Sequence, residues 1–340
     1  MSDWLQTLNG DPLPWLLDEQ TPAVRHLALR HLLDQPSDAR DVREAQAAAM
    51  REDPIATIFA AQSPEGYWVR PGGGYNPKYQ STVWSLIFLD QMGADGSDPR
   101  IQRACEYVLA HTQALSGGFG AWGGGKREAP PPPSTVIHCL NGNLLRALIG
   151  FGWLEDERTQ RAIDWQAAAI TGEGAIRFYR SGTSGPGFCC SMNERLPCAW
   201  GAVKALLALA RIPTTRRSPH VARAIEQGTA FLLSCDPVTA AYPTGWGNTK
   251  PSALWFRPGF PLGYTADVLQ LLAVLCELGY AKDPRLENAG AWLRRRQGPT
   301  GRWRNQSPPR GKTWVEADKR GAESKWVTLG ACAVLKAMYA

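Results

Sequence analysis

The chain has 340 residues, with 37 Lys and Arg against 31 Asp and Glu for a formal charge of +6, which allows one large domain or two ordinary ones. The excess is mild and spread out, and its densest run, Arg294 to Arg296, falls at a predicted helix C-terminus where cations are favoured anyway, so the concentrated basic face of a nucleic-acid binder is absent. No apolar stretch is long enough for a transmembrane span, MSDWLQTLNG lacks the basic and apolar parts of a signal peptide, and 8 cysteines are too sparse for a disulfide scaffold, so a cytoplasmic protein with reduced or metal-bound thiols is expected.

In chain order, helices are expected over Thr21 to Leu33, about Ala39 to Met50, and briefly from Asp53-Pro54 to Ala60. Tyr79 to Met92 is apolar on nearly every side, as in a helix buried all round. Pro99 to Leu109 is amphipathic, with Ile101, Ala104, Cys105 and Val108 on one stripe. The alternation continues: Val136 to Ile149 apolar, Asp156 to Ala168 amphipathic, Cys198 to Ala210 apolar, Pro219 to Leu233 mixed, Tyr264 to Leu278 apolar, Pro284 to Arg296 mixed, Lys325 to Met338 apolar. Asp98-Pro99, Asp156, Ser218-Pro219 and Asp283-Pro284 read as helix starts. The 14 Trp, 34 Gly and 26 Pro describe long, shaped, aromatic loops between helices.

The buried-type helices start near residues 79, 138, 198, 264 and 325, a repeat of about 60 residues. Thr21 to Leu33 offers a sixth. An open solenoid would show solvent on one row and need polar capping repeats; this inner row is too apolar. The pattern therefore predicts an all-α, closed α/α toroid of five to six inner and outer helix pairs. Residues 1–52 are expected as an N-terminal helical segment packed on the ring, and 53–340 as the toroid.

Gln62 to Trp68 (QSPEGYW) and Gln297 to Trp303 (QGPTGRW) both read Gln-x-x-x-Gly-x-Trp, between an amphipathic and a buried helix. With the helix-pair period, this chain resembles the terpenoid cyclase and protein prenyltransferase toroids, including squalene–hopene cyclases. The resemblance covers roughly Asp53 to the C-terminus and implies a barrel with an apolar central cavity. The Gln, Gly and Trp are structural: a helix-end partner, a turn and a packing anchor. The resemblance stops at the chemistry. The Asp-x-Asp-Asp acid motif of the cyclases, the Asp-Asp-x-x-Asp metal motif of ionising terpene synthases and the prenyltransferase zinc arrangement have no match here.

In such a ring the inner helices run parallel, so their N-terminal ends gather at one mouth. That places Tyr79 and Gln80, His138 and Cys139, Cys190 and Cys198, Tyr264 and Asp267, and Ser324 and Lys325 together. Cys139, Cys190 and Cys198, with Asp267 or His138 as fourth ligand, form the expected metal set, and zinc is the ion it would take. The same thiols also suit plain packing or a nucleophile. Asp267, His138 and Tyr264 are the catalytic candidates. Trp84, Trp200, Asn143, Phe260 and Trp326 are the candidate substrate contacts, their aromatic faces suited to a carbocation. Arg177, Arg180, Arg195, Arg257, Lys250, Lys312, Lys319, Arg320 and Lys325 could hold an anionic head group. Gly72 to Gly74 and Gly123 to Lys126 lack P-loop spacing and read as hinges.

Three functions follow as expectations. The first is an enzyme that cyclises or transfers an isoprenoid or other apolar substrate, with metal or Asp267 initiating the reaction. The second is a non-catalytic lipid or peptide binder that kept the cavity. The third is a carbohydrate-active α/α barrel, which needs paired carboxylates, with Asp267 and Glu194 or Glu316 the available groups. An apolar small molecule is the expected partner. A membrane-facing mouth would require clustered aliphatic residues in the loops.

Overall fold

Apolar helices that bury every face have to lie side by side, and amphipathic ones have to cover them; the computed structural model shows that arrangement. It describes residues 3–122, 129–173, 185–190, 193–239, 251–309, 311 and 313–340. After a 3-10 turn at Asp3–Thr7, the helices are α1 (Leu13–Leu16), α2 (Pro22–His31), α3 (Arg40–Ala49), α4 (Ile55–Ala60), α5 (Thr82–Gln91), α6 (Pro99–His111), α7 (His138–Gly150), α8 (Glu157–Thr171), α9 (Ala199–Ala210), α10 (Pro219–Leu232), α11 (Val268–Glu277), α12 (Glu287–Arg294) and α13 (Lys325–Tyr339). Among the described residues, β structure is confined to isolated bridges.

The inner row is α2, α5, α7, α9, α11 and α13. Neighbours α5–α7, α7–α9, α9–α11, α11–α13 and α13–α2 pack in that order. The outer row is α3, α6, α8, α10 and α12. Asp98, Asp156, Ser218 and Asp283 cap outer helices or the 3-10 turn leading into one, each accepting a backbone N–H two or three residues on. Three of those caps carry an arginine two residues later. Arg100, Arg158 and Arg285 each fork onto the capping carboxylate at 2.6–3.0 Å, a repeated Asp-x-Arg unit that holds the cap in place.

The Gln-x-x-x-Gly-x-Trp turns act alike. Trp68 Nε1 donates to Ile58 O at 2.7 Å, and Trp303 Nε1 donates to Leu293 O at 2.9 Å. The Trp68 N–H goes to Thr82 Oγ1 and the Trp303 N–H to Thr328 Oγ1, each on the following inner helix. Gly66 and Gly301 have positive φ, and a Cβ at either would strike a backbone carbonyl oxygen. A third copy runs from Gln113 to Phe119. Its phenylalanine takes the tryptophan's place, so the sequence pattern misses it. The Phe119 N–H goes to Asn141 Oδ1 on α7.

Each glutamine reaches the next unit round the ring. Gln62 Nε2 donates to Arg100 O, and Gln113 Nε2 donates to Arg158 O. Gln297 reaches the chain's beginning: its Oε1 accepts from Asn9 N at 2.7 Å, and its Nε2 donates to Thr7 O. Lys325 Nζ donates to Asp18 and Thr21, and Lys336 Nζ to His31 O. The far side closes where Gly93, after α5, abuts His26 and Leu27 of α2. The N-terminal segment thus lies between α13 and α5, beside the last inner helix.

Two inner helices start later than periodicity suggests. α5 begins at Thr82, and α11 begins at Val268 with Asp267 as its cap. The residues before α11 instead cross the ring. Leu262 exchanges two hydrogen bonds with the Gln91 side chain at the end of α5, at 2.8 and 2.9 Å. Asn143 Nδ2 on α7 donates to Gly263 O at 2.9 Å. Tyr264 to Ala266, which the sequence pattern reads as the start of a helix, belong to this crossing segment.

Candidate active site at the mouth of the ring

The inner helices do run parallel. At their N-terminal ends, Trp84, Trp200, Tyr79 and Tyr264 gather around one point. Tyr264 lies 6.3 Å from Trp84 and 6.4 Å from Trp200, both edge-on. Tyr79 meets Trp84 at 5.4 Å and stacks on Phe88 at 6.3 Å. Lys78 Nζ sits 4.8 Å over the Tyr264 ring. Burial pushes the Tyr79 and Tyr75 hydroxyls well above the ordinary tyrosine value. A pocket of about 280 Å³ opens here, with Tyr79, Tyr264, Thr265, Gln306, Ser307 and Arg320 among its lining residues.

Asp267 is 1% exposed. Burial raises its carboxyl to about 6, against the lowering pull of backbone N–H groups and Lys204. Its Oδ1 accepts from Gln270 N at 2.9 Å and its Oδ2 from Gly259 N at 3.0 Å. It therefore caps α11 and pins the crossing segment. Asn305 grips the next residue, accepting from Phe260 N and donating to Phe260 O. Phe260 stacks on Trp326 at 4.4 Å, nearly parallel. Asp318, which the sequence pattern does not single out, accepts from Ser324 Oγ, the cap of α13. Burial raises it too, to about 6. Nothing in the local sequence around Asp318 signals burial; the ring puts it there.

His138 and Asn143 are buried on α7. His138 is fully engaged: Gln166 Nε2 lies 2.7 Å from Nδ1, and Gly185 O lies 3.0 Å from Nε2. The pairing sets Nδ1 as acceptor and Nε2 as donor. Burial lowers its pKa to about 4. Gln166 Oε1 in turn accepts from Asn141 Nδ2 at 3.0 Å, so these polar residues tie α7 to α8 and to the chain before α9. His138 has no lone pair left for a metal or a proton.

Cys139 opens α7, and Cys190 and Cys198 lie on the short hairpin before α9, where Cys190 N donates to Leu196 O and Cys198 N to Phe188 O. Burial pushes the Cys139 thiol far up, and Cys198 and Cys190 near it add to the shift. Cys198 rises to about 11. Among the described residues, no three His, Cys, Asp or Glu side chains are grouped to hold a metal. Asp267 has both oxygens on backbone N–H groups and His138 both nitrogens engaged.

Lys325 serves ring closure, whereas Arg195, Arg257 and Lys319 are exposed. Arg177, Arg180, Lys250, Lys312 and the Gly123 to Lys126 run lie outside the described residues. Glu194 and Glu316 are exposed while Asp267 is buried.

The fold and site define an all-helical α/α toroid with an aromatic mouth. No family model matches the sequence, and no curated protein matches it. Among solved structures, the chain is similar to the type II terpene cyclase MstE from Scytonema in its apo form, with 16% identity, a TM-score of 0.47, and 94% of this chain and 88% of that one covered. It is also similar to a protein from Actinoplanes, at 16% identity, TM-score 0.42, and 94% and 89% coverage. A third is the GH76 alpha-mannanase of Bacteroides thetaiotaomicron, at 11% identity, TM-score 0.43, and 94% and 84% coverage. Identities this low transfer no residue roles.

Proposed function

We propose that this toroid is an enzyme acting on an apolar, isoprenoid-type substrate, with Asp267 as proton donor. The observation that carries the reading is a buried carboxyl raised to about 6, three residues after Tyr264, whose ring meets Trp84 and Trp200. A carboxylic acid kept partly protonated near neutral pH can protonate an alkene or a leaving oxygen. The aromatic faces stabilise the cation that results, and the dry wall keeps water from quenching it. Cyclisation and prenyl transfer both begin from such a cation.

The test is incubation with linear isoprenoids of ten to thirty carbons, free and as diphosphates, followed by product analysis. Turnover abolished by Asp267→Asn supports the reading. A folded protein that converts none of them overturns it. Binding without turnover is the second reading, favoured by the two N–H groups that already occupy Asp267. Ligand recovered unchanged at one per chain would establish it. Zinc content of gently purified protein, with Cys139→Ala and Cys198→Ala variants, tests the metal expectation separately.

A further inference from the structure

A second buried charge lies deeper in the ring. Lys204 sits in the middle of α9, in the run Ala-Val-Lys-Ala-Leu-Leu, and is 1% exposed. Together with Trp200 and Arg211 it marks a stripe on α9 at helical spacing. A buried ammonium is ordinarily paired with a carboxylate. Among the described residues Lys204 has no ion pair. Its Nζ donates to the neutral Gln270 Oε1 at 2.7 Å. The charged and titratable groups that act on it are Asp267 at the head of α11, and Cys139 and Arg146 of α7. Asp267 spends both oxygens on backbone N–H groups. A mere tie between α9 and α11 could be made by a neutral side chain at lower desolvation cost.

Burial lowers this amine to about 7, with Arg146 adding to the effect. Near neutral pH a large share of it is unprotonated and nucleophilic. Space adjoins it. Cys139, Arg146, Gln270 and Ala273 are only half-buried although they stand on inner helices. The pocket wall at Gly263–Thr265 is the stretch of chain that leads into Asp267 and Gln270.

We propose that Lys204 is a covalent attachment site for an apolar aldehyde or ketone, which it holds as an imine inside the ring. The apolar class of the ligand rests on the proposed function; the covalent site does not. The amine lone pair forms a C–N bond to the carbonyl carbon, and the carbonyl π pair moves to oxygen. One amine proton passes to that oxygen, giving a carbinolamine. Asp267 then protonates the hydroxyl, which leaves as water while nitrogen's lone pair closes the C=N bond. The product is a protonated imine beside the Asp267 carboxylate. No oxidant or reductant takes part.

The experiment treats the full chain at pH 7 with farnesal or retinal, traps the imine with borohydride, and maps the adduct by mass spectrometry. The expected result is one adduct per chain, on Lys204, forming at least ten-fold faster than with propanal. Lys204→Arg should lose it, and Lys78→Arg should keep it, although Lys78 is the exposed amine at the mouth. Mapping on the native protein needs no variant, so a misfolded variant leaves the result intact. Adducts confined to Lys78, or spread over surface lysines, overturn the proposal. Equal rates for farnesal and propanal at Lys204 overturn its apolar specificity. Product formation from hydrocarbons without an adduct overturns this site alone; an adduct without turnover overturns the acid-initiated chemistry alone.

Discussion

The two ends of the ring handle charge in opposite ways. At the C-terminal ends of the inner helices, Asp90 of α5 takes Arg211 Nη1 at 2.6 Å and Arg146 Nε at 3.5 Å. Arg211 also donates to Arg146 O. Those arginines lie where helix dipoles favour cations, and their main charge is answered by an ion pair. Toward the N-terminal ends, Asp267 is answered by backbone N–H groups and Lys204 by an amide oxygen. Neither forms a direct ion pair among the described residues. Paired charges hold helices together. Buried charges without ionic partners sit near their midpoints, which is where proton transfer and nucleophilic attack are possible.

Breaking the paired end should cost most. Asp90→Ala would leave two arginines facing each other, and we expect a loss of about 3 kcal/mol in urea unfolding; a loss under about 1 kcal/mol would make this end no more than a solvated patch. The unpaired end should respond with the opposite sign. Lys204→Met should stabilise the fold by about 1–3 kcal/mol at pH 7. The folded-state pKa of Lys204 is depressed to about 7, so the unfolded chain binds the extra proton between pH 7 and the ordinary lysine value. Wild-type stability should therefore rise across that window, and the advantage of the methionine variant should shrink. A constant gap would show that Lys204 is not held near neutrality.

Asn305→Ala should cost about 1–2 kcal/mol by freeing both backbone groups of Phe260, and should lower ligand affinity at the mouth without moving the pH profile. The smallest effect on stability is that of Asp267→Asn, read as a pH dependence. Burial raises the folded pKa of Asp267 to about 6, so the folded state holds its proton longer than the unfolded chain does. Its contribution favours folding at low pH and is lost as pH rises from the ordinary aspartate range to about 6. Turnover by wild type should likewise fall as pH climbs through about 6. The stability difference between wild type and Asp267→Asn should change over that window alone. A flat difference would leave Asp267 as a cap and nothing more.

The helices, their alternation and the two tryptophan turns are legible in the residue pattern, because burial on every face, helix caps and short turn spacings are local signals. Asp98, Asp156, Ser218 and Asp283 mark their helix starts for that reason. The expectation that Cys139, Cys190 and Cys198 share one mouth has the same origin, since parallel helices convert a repeat period into proximity. What the candidate groups are free to do depends on their neighbours in space. His138 reads as a candidate ligand until Gln166 and Gly185 take both its nitrogens. Tyr264 reads as helix until Gln91 and Asn143, from across the ring, hold the segment around it. Phe119 hides a third turn because an aromatic ring can fill the tryptophan's place without its N–H. Lys204 carries no local mark, because desolvation depends on what lies around a side chain in space, and its neighbours Cys139, Arg146 and Gln270 come from helices far away in sequence.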